Sequence, residues 1–233
     1  MRKEKKLVVF VNGSPKLRPE ESVSELLIRM GQEYMNSQEL VFDKVQVRSS
    51  LTHKKTEEDF AKLLRADAII FVFPLYIFCT PGILMRFLQD FHQYLKENGG
   101  YRNKVRVYAM VNCGFPEAFI NEEAVRVIRS FCRQTGAEFG FGTMIGSGGM
   151  LLGTLEAPFM KKMKEDLIGA YQRMKEGILH DGEDSGEPVS TRAKFPMKLY
   201  YFMGNRGWYS NAKKNGLKKK ELYRKPYLKT GRS

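Results

Sequence analysis

The chain opens its pattern with an unbroken apolar run, Leu7-Val8-Val9-Phe10-Val11, that stops abruptly at Asn12-Gly13-Ser14-Pro15-Lys16. After a polar gap, Val23, Leu26, Leu27 and Met30 recur at i, i+3, i+4 and i+7, one face of a helix. The reading is strand, polar loop, helix, and the alternation repeats. Leu40 to Val47 supplies a second strand with Val41, Val45 and Val47 on one face. The polar stretch Arg48 to Thr56 follows, then a short helix over Glu57 to Leu64 with Phe60, Leu63 and Leu64 on a common side. Ala68 to Phe73 is too continuously apolar for a half-exposed strand and reads as a central one, covered on both faces.

Pro74-Leu75-Tyr76-Ile77-Phe78 is then a loop, and a helix starts near Pro81 or Gly82, where a proline's missing N–H goes unnoticed. Leu84, Phe87, Leu88, Phe91 and Leu95 keep its inner face apolar until Asn98-Gly99-Gly100 ends it. Val105 to Val111 is the next strand and runs into the sharp turn Asn112 to Glu117. A helix from Asn121 to Arg133 follows, then a fifth strand, Phe139 to Ile145, ending in Gly146-Ser147-Gly148-Gly149. A longer helix spans Pro158 to Glu176, and the acidic stretch Leu179 to Glu187 reads as a linker or exposed loop.

Strand and helix alternating about five times predict an open parallel five-stranded sheet with helices on both faces. Right-handed crossovers bring the carboxyl ends of its strands to one edge, where such folds bind ligands. The loops after strands one, three and four are the ones rich in Gly, Pro, Ser and Asn, so a crevice is expected there.

The net charge of +13 changes the picture only at one end of the chain. From Arg192 onward there are 13 Lys or Arg residues against one acid, Glu221, while the preceding residues are nearly balanced. Two segments are therefore expected: a body over 1–190 and a basic, aromatic extension over 191–233. The extension carries Phe195, Tyr200, Tyr201, Phe202, Trp208 and Tyr209 among its lysines. It is expected to pack on the body or on a partner subunit, with peripheral contact to an anionic membrane as the alternative. Nucleic acid is disfavoured, because no RNA-recognition, zinc-finger or helix-turn-helix signature accompanies the charge.

Three scattered cysteines, Cys79, Cys113 and Cys132, match no disulfide framework and no metal-site spacing, which points to free thiols and the cytoplasm. No export signal is read at the start of the sequence. The uncharged residues 68–85 are interrupted by Pro74, Pro81 and Gly82 and read as strand, loop and helix rather than a membrane span.

Together these loops resemble the flavodoxin-like NAD(P)H-dependent FMN reductases and quinone reductases. The pieces are Asn12-Gly13-Ser14-Pro15-Lys16 with Ser22 and Ser24, then Pro74-Leu75-Tyr76 with Pro81, Gly82, Leu84, Phe87 and Asp90, then Asn112 to Glu117, across residues 5 to about 150. The resemblance implies that Ser14, Lys16, Ser22 and Ser24 surround an FMN phosphate. It implies that Pro74, Leu75, Tyr76 and Ile77 line the isoalloxazine ring, and that Asn112, Cys113 and Gly114 approach the ring from the next strand. It further implies hydride transfer from NADH or NADPH through FMN to a quinone, free flavin or similar small acceptor, and a homodimer. The first loop departs from the family pattern in being longer and more charged, with Glu20 and Glu21 expected to point outward.

No GxGxxG, Walker loop or GxSxG elbow occurs, and His53, His92 and His180 fall outside the crevice loops. No catalytic side chain and no metal site is expected: the cofactor carries the chemistry. Cys113 tempts as a nucleophile but has no histidine partner nearby in sequence. The alternatives are an FMN-bound electron carrier, or an interaction protein whose basic tail binds nucleic acid or anionic membrane.

Overall fold

Apolar β-branched and aromatic runs that must be covered on both faces set the centre of the molecule. In the computed structural model, which describes residues 5–180 and 186–225, these runs form a parallel sheet. The strands are β1 (Lys6–Asn12), β2 (Leu40–Gln46), β3 (Ala68–Pro74), β4 (Arg106–Asn112), β5 (Glu138–Ile145) and β6 (Val189–Thr191). The sheet is six-stranded, in the order β2-β1-β3-β4-β5-β6, and every pairing is parallel. This corrects the expected five strands. β6 is only three residues long, and Val189-Ser190-Thr191 carries no apolar run. It exists because Thr143, Met144 and Ile145 of β5 offer it an edge.

The helices are α1 (Val23–Tyr34), α2 (Val47–Thr52), α3 (Thr56–Leu64), α4 (Gly82–Glu97), α5 (Glu122–Thr135), α6 (Leu151–Thr154) and α7 (Lys161–His180). Phe60, Leu63, Leu84, Phe87, Phe91, Val125 and Ile128 place α3, α4 and α5 over one face, against Val9, Val11, Ile69, Phe71 and Phe73. α1 and α7 cover the other face: Gly31 lies under the Phe10 ring and beside Tyr171, whose buried hydroxyl donates to Leu27 O at 2.6 Å. At the opposite end, Lys6 Nζ donates to Ile178 O at 2.7 Å and Arg106 to Gly177 O, so cations meet the carbonyl end of α7.

Three local expectations shift. The polar stretch after β2 contains α2, whose Val47 is buried as a helix residue and not a strand one. β2 is the sheet edge, and Val41 stays exposed while Val45 is buried. α1 turns its Ser24, Leu27, Ile28 and Gly31 inward, while Val23 and Leu26 are only half-buried. Apolar periodicity misplaces that face because a serine and a glycine belong to it.

The chain divides into two units, 1–194 and 195–233. The second contains α8 (Met197–Lys214) and a 3₁₀ turn, Lys219–Tyr223. Within it Lys219 Nζ lies 4.5 Å from the Tyr209 ring centroid, and the Tyr209 and Tyr223 hydroxyls are 3.2 Å apart. The linker expected over Leu179 to Glu187 lies in part outside the described residues, as does the end of the basic extension. Among the described residues no helix is long and apolar enough to cross a membrane.

Candidate functional site

Asn12, the last residue of β1, is fully buried and governs the first loop. Its Nδ2 donates to Glu25 Oε2 at 3.0 Å, and its Oδ1 accepts the Ser14 N–H at 3.0 Å. Glu25 lies in the first turn of α1 and also receives Lys44 Nζ at 2.6 Å and Gln46 Nε2 at 2.9 Å from β2. Burial works to raise the Glu25 carboxyl. The hydrogen bond and charge of Lys44, helped by Gln46 and Asn12, outweigh it and hold the group below the usual carboxylate value. An ionised Glu25 accepts only, which fixes the Asn12 amide with its NH₂ toward the carboxylate and its oxygen toward Ser14.

Beyond Asn12 the loop gathers the predicted polar set. Ser14 is buried, and its Oγ accepts the Lys16 N–H at 3.4 Å. Lys16 Nζ donates to Glu21 O at 2.7 Å. Ser22 caps α1, its Oγ accepting the Glu25 N–H at 3.1 Å. Ser24 is buried, and its Oγ has no hydrogen-bond partner among the described residues. Arg48, which was not among the expected site residues, donates from Nη1 to Pro15 O at 3.2 Å. No motif flags it: α2 alone brings it to this loop. Glu20 and Glu21 are exposed, as expected. The loop therefore joins two cations, a helix N-terminus and an orphaned buried hydroxyl, a donor set that fits a phosphate.

The second corner adjoins the first. Gly13 N–H donates to Val72 O at 2.9 Å, and a Cβ at Gly13 would come within 2.9 Å of Phe73 Cβ. Past Pro74, Leu75 N–H donates to Asn112 O at 2.8 Å, carrying the β3–β4 pairing one residue further. Tyr76 and Cys79 then exchange backbone hydrogen bonds of 2.9 and 3.0 Å around a tight turn. Both central residues take positive φ, 46° at Ile77 and 58° at Phe78, as a type I′ turn demands. Glycine or asparagine is at home there, and a β-branched residue is strained. The turn holds Tyr76 (47% exposed), Ile77 (94%) and Phe78 (60%) out from the sheet edge. Because the N–H groups of Leu75 and Tyr76 are committed to protein partners, this corner offers a ligand mainly apolar side-chain surface.

The third corner is stitched from two turns. Cys113 N–H donates to Ile145 O at 2.9 Å, Ser147 N–H to Phe115 O at 2.6 Å and Gly148 N–H to Cys113 O at 2.8 Å. A Cβ on Gly146 would come within 2.4 Å of Pro116 O, so only glycine lets the turns close. Gly146 and Gly148 thus support the Cys113 turn. Cys113 points inward: its thiol donates to Phe115 O at 3.4 Å and accepts from Asn121 Nδ2 at 3.5 Å, and burial pushes its pKa up. A raised thiol pKa disfavours the nucleophilic thiolate. A side chain on Gly114 would meet open space, and the exposed Phe115 ring stacks on Phe78 at 5.9 Å and 16°. Asp90 pairs with Arg86 at 2.8 Å, one turn along α4, as an i,i+4 surface bridge.

The predicted phosphate set thus lies on one loop, and the predicted ring set lies on the ends of the adjacent strands β3 and β4. A cavity of about 560 Å³ lies on the far side of the β4 turn. Phe119, Lys162, Asp166, Thr191, Arg192 and Lys194 are among its walls, and Thr191 Oγ1 donates to Asp166 Oδ2 at 2.8 Å. Among the described residues no group of three or more His, Cys, Asp or Glu side chains is placed to hold a metal ion.

A family model described as flavodoxin-like fold matches residues 7–139. No curated protein matches the sequence. Among solved structures, an apo NADH:FMN oxidoreductase superposes with a TM-score of 0.56 at 16% identity, covering 84% of this chain and 98% of that one. The NAD(P)H:quinone oxidoreductase from Methanothermobacter marburgensis gives 0.55 at 15%, covering 76% and 97%. An FMN-dependent NADH-azoreductase from Bacillus anthracis, in complex with FMN, gives 0.52 at 11%, covering 73% and 100%. At these identities the likeness carries the fold, and with a model spanning more than half of its length the chain belongs to the flavodoxin-like fold family.

Proposed function

We propose that the protein is an FMN-dependent oxidoreductase that passes a hydride from NADH or NADPH to a quinone, free flavin or similar small acceptor. The observation that carries this reading is the first loop: the orphaned Ser24 hydroxyl at the capped start of α1, with Ser14 and Lys16 on the loop before it and Arg48 bound to that loop at Pro15 O. Next to that loop stands the apolar edge made by Pro74, Tyr76, Phe78 and Phe115, where a flat ring finds a wall. The names borne by the solved structures of the same fold, NADH:FMN and NAD(P)H:quinone oxidoreductases, support the same chemistry.

FMN, when bound, supplies the acceptance and donation of a hydride. The chain's own residues do the rest. Ser14, Ser22 and Ser24, with the α1 N–H groups, would hold the phosphate, and Lys16 and Arg48 would balance its charge. Glu25 orients Asn12, and Asn12 orients Ser14, so the anion meets a cradle already in place. The Tyr76–Cys79 turn and Phe115 would exclude water from one side of the ring. The backbone of Asn112, Cys113 and Gly114 would bound the other side, with the Cys113 thiol turned inward and Gly114 leaving room for close approach. In the neighbouring cavity, Arg192 and Lys194 suit the phosphates of the nicotinamide donor, with Phe119 beside them, while Lys162 is paired with Asp166. The exposed turn around Ile77 is the surface a second copy would cover in a homodimer. The free cysteines suit the cytoplasm.

The test is direct. Purified protein should be yellow or take up FMN in a fluorescence titration, and should then oxidise NADH or NADPH when a quinone is supplied. A protein that fails to bind FMN overturns the reading. One that binds FMN but is inert to both nicotinamides leaves an electron carrier in its place.

A further inference from the structure

In the second unit, a hydrophobic surface of unusual composition is laid out on α8 and the turn after it. Lys198, Phe202, Arg206, Tyr209 and Lys213 follow one another at i, i+4, i+8, i+11 and i+15, a single face on which cations alternate with rings. Lys219 extends the strip by lying over the Tyr209 ring. On another face Met197, Tyr201 and Trp208 stand at i, i+4 and i+11, with Trp208 71% exposed. Only Ala212 is buried among the residues of α8.

The charge of this unit is almost wholly of one sign. Its single acid, Glu221, is consumed internally: it accepts the Lys218 N–H at 2.7 Å and pairs with Arg224 at 3.1 Å. The lysines and arginines therefore present a field that nothing in the unit offsets. A polyanion is the complementary partner. The exposed aliphatics decide which polyanion. Leu199, Met203, Leu217 and Leu222 are exposed alongside the rings. An aromatic side chain stacks on a nucleobase, but a leucine or methionine gains nothing from single-stranded nucleic acid comparable to hydrocarbon. Aliphatics, tyrosines and one tryptophan set among lysines are the composition of a segment that lies at a lipid surface, with apolar groups below the head groups and amines among them.

We propose that α8 and the turn after it dock the protein on the surface of an anionic lipid bilayer. The body contributes little to this attraction, since its charges are nearly balanced. The docking is independent of any bound flavin.

Trp208 is the chain's one tryptophan and reports its own surroundings. The full chain is mixed with phosphatidylcholine vesicles, or with the same vesicles carrying about 30% phosphatidylglycerol, and followed by sedimentation and Trp208 emission. Partitioning onto the anionic vesicles should exceed that onto the neutral ones by about tenfold or more, with a blue shift of the emission, and should weaken as salt rises. The double variant Lys213→Glu, Lys214→Glu should lower anionic partitioning by about tenfold or more. Phe202→Ser with Met203→Ser should lower it while leaving its salt dependence intact. All four positions are exposed, and unchanged circular dichroism confirms folding. Equal partitioning onto both vesicles, or an unmoved emission, overturns the proposal. So does binding to an oligonucleotide that vesicles fail to displace. An emission already blue-shifted without vesicles and reversed by dilution assigns the surface to a second copy, and also overturns it.

Discussion

The loop after β1 and the turn after β3 stand side by side on the sheet edge and are built on opposite principles. The first is polar and braced from behind: Glu25 holds Asn12, Asn12 holds Ser14, and Lys44 and Gln46 hold Glu25. The second is apolar and strained, pushing Ile77 and Phe78 outward at positive φ with Ile77 94% exposed. An anion needs donors fixed in advance, because a loose donor loses to water what it gains from the ligand. A flat ring needs surface, and a strained turn that projects side chains provides it. On the proposed function, the two corners divide recognition of FMN between them.

The largest effect is expected from breaking the brace. Glu25→Ala leaves Lys44 and the buried Asn12 amide without their acceptor, at about 3 kcal/mol of stability. Thermal melting should show this, and FMN affinity should fall at least tenfold. The brace also carries a pH signature. The folded carboxyl titrates below the unfolded one, so its stabilisation is complete above the ordinary value of 4.5 and drains as pH falls through the lower folded pKa. In Glu25→Gln the midpoint of melting should therefore fall less steeply through the acid range than in the parent protein. A parallel fall in both proteins would remove Glu25 from the account.

Next comes the seam between the corners. Gly13→Ala forces a methyl to within 2.8 Å of Leu84 Cδ2 and 2.9 Å of Phe73 Cβ, and should lower stability by about 1–3 kcal/mol in denaturant unfolding. A neutral substitution there would mean that the loop is free to move away from α4. The strained turn should respond in the opposite direction: Ile77→Asn relieves the φ conflict at a residue with almost no packing to lose, and should raise stability by about 0.5–1 kcal/mol. The smallest effect belongs to the stack. Phe115→Ala gives up one exposed aromatic pair, about 0.5 kcal/mol, while raising the KM for ring-shaped acceptors more than that for ferricyanide.

The core was written plainly in the chain. Leu7 to Val11, Ala68 to Phe73 and Val105 to Val111 have no soluble alternative to a doubly covered strand, and β3 is buried along its apolar length. Ser22 was read only as a phosphate contact, and the structure adds that it caps α1, its Oγ accepting the Glu25 N–H. The brace behind the loop after β1 was not legible in the chain. Asn12, Glu25, Lys44 and Gln46 are scattered over two strands and a helix, and only the pairing of β1 with β2 brings them together. Arg48 was hidden for the same reason, and β6 because three residues gain a ladder only from a neighbour that is already formed.

Sequence alone settled the five longer strands, the helices α1, α3, α4, α5 and α7, and that positive charge would collect at one end. Those properties follow from local composition and periodicity, which every short window of the chain carries within itself. Tertiary structure alone decided which side of α1 faces inward, which carboxylate steadies the loop after β1, and that Cys113 turns away from the edge. Each of these depends on atoms far apart along the chain, whose meeting is fixed only when the sheet closes its order.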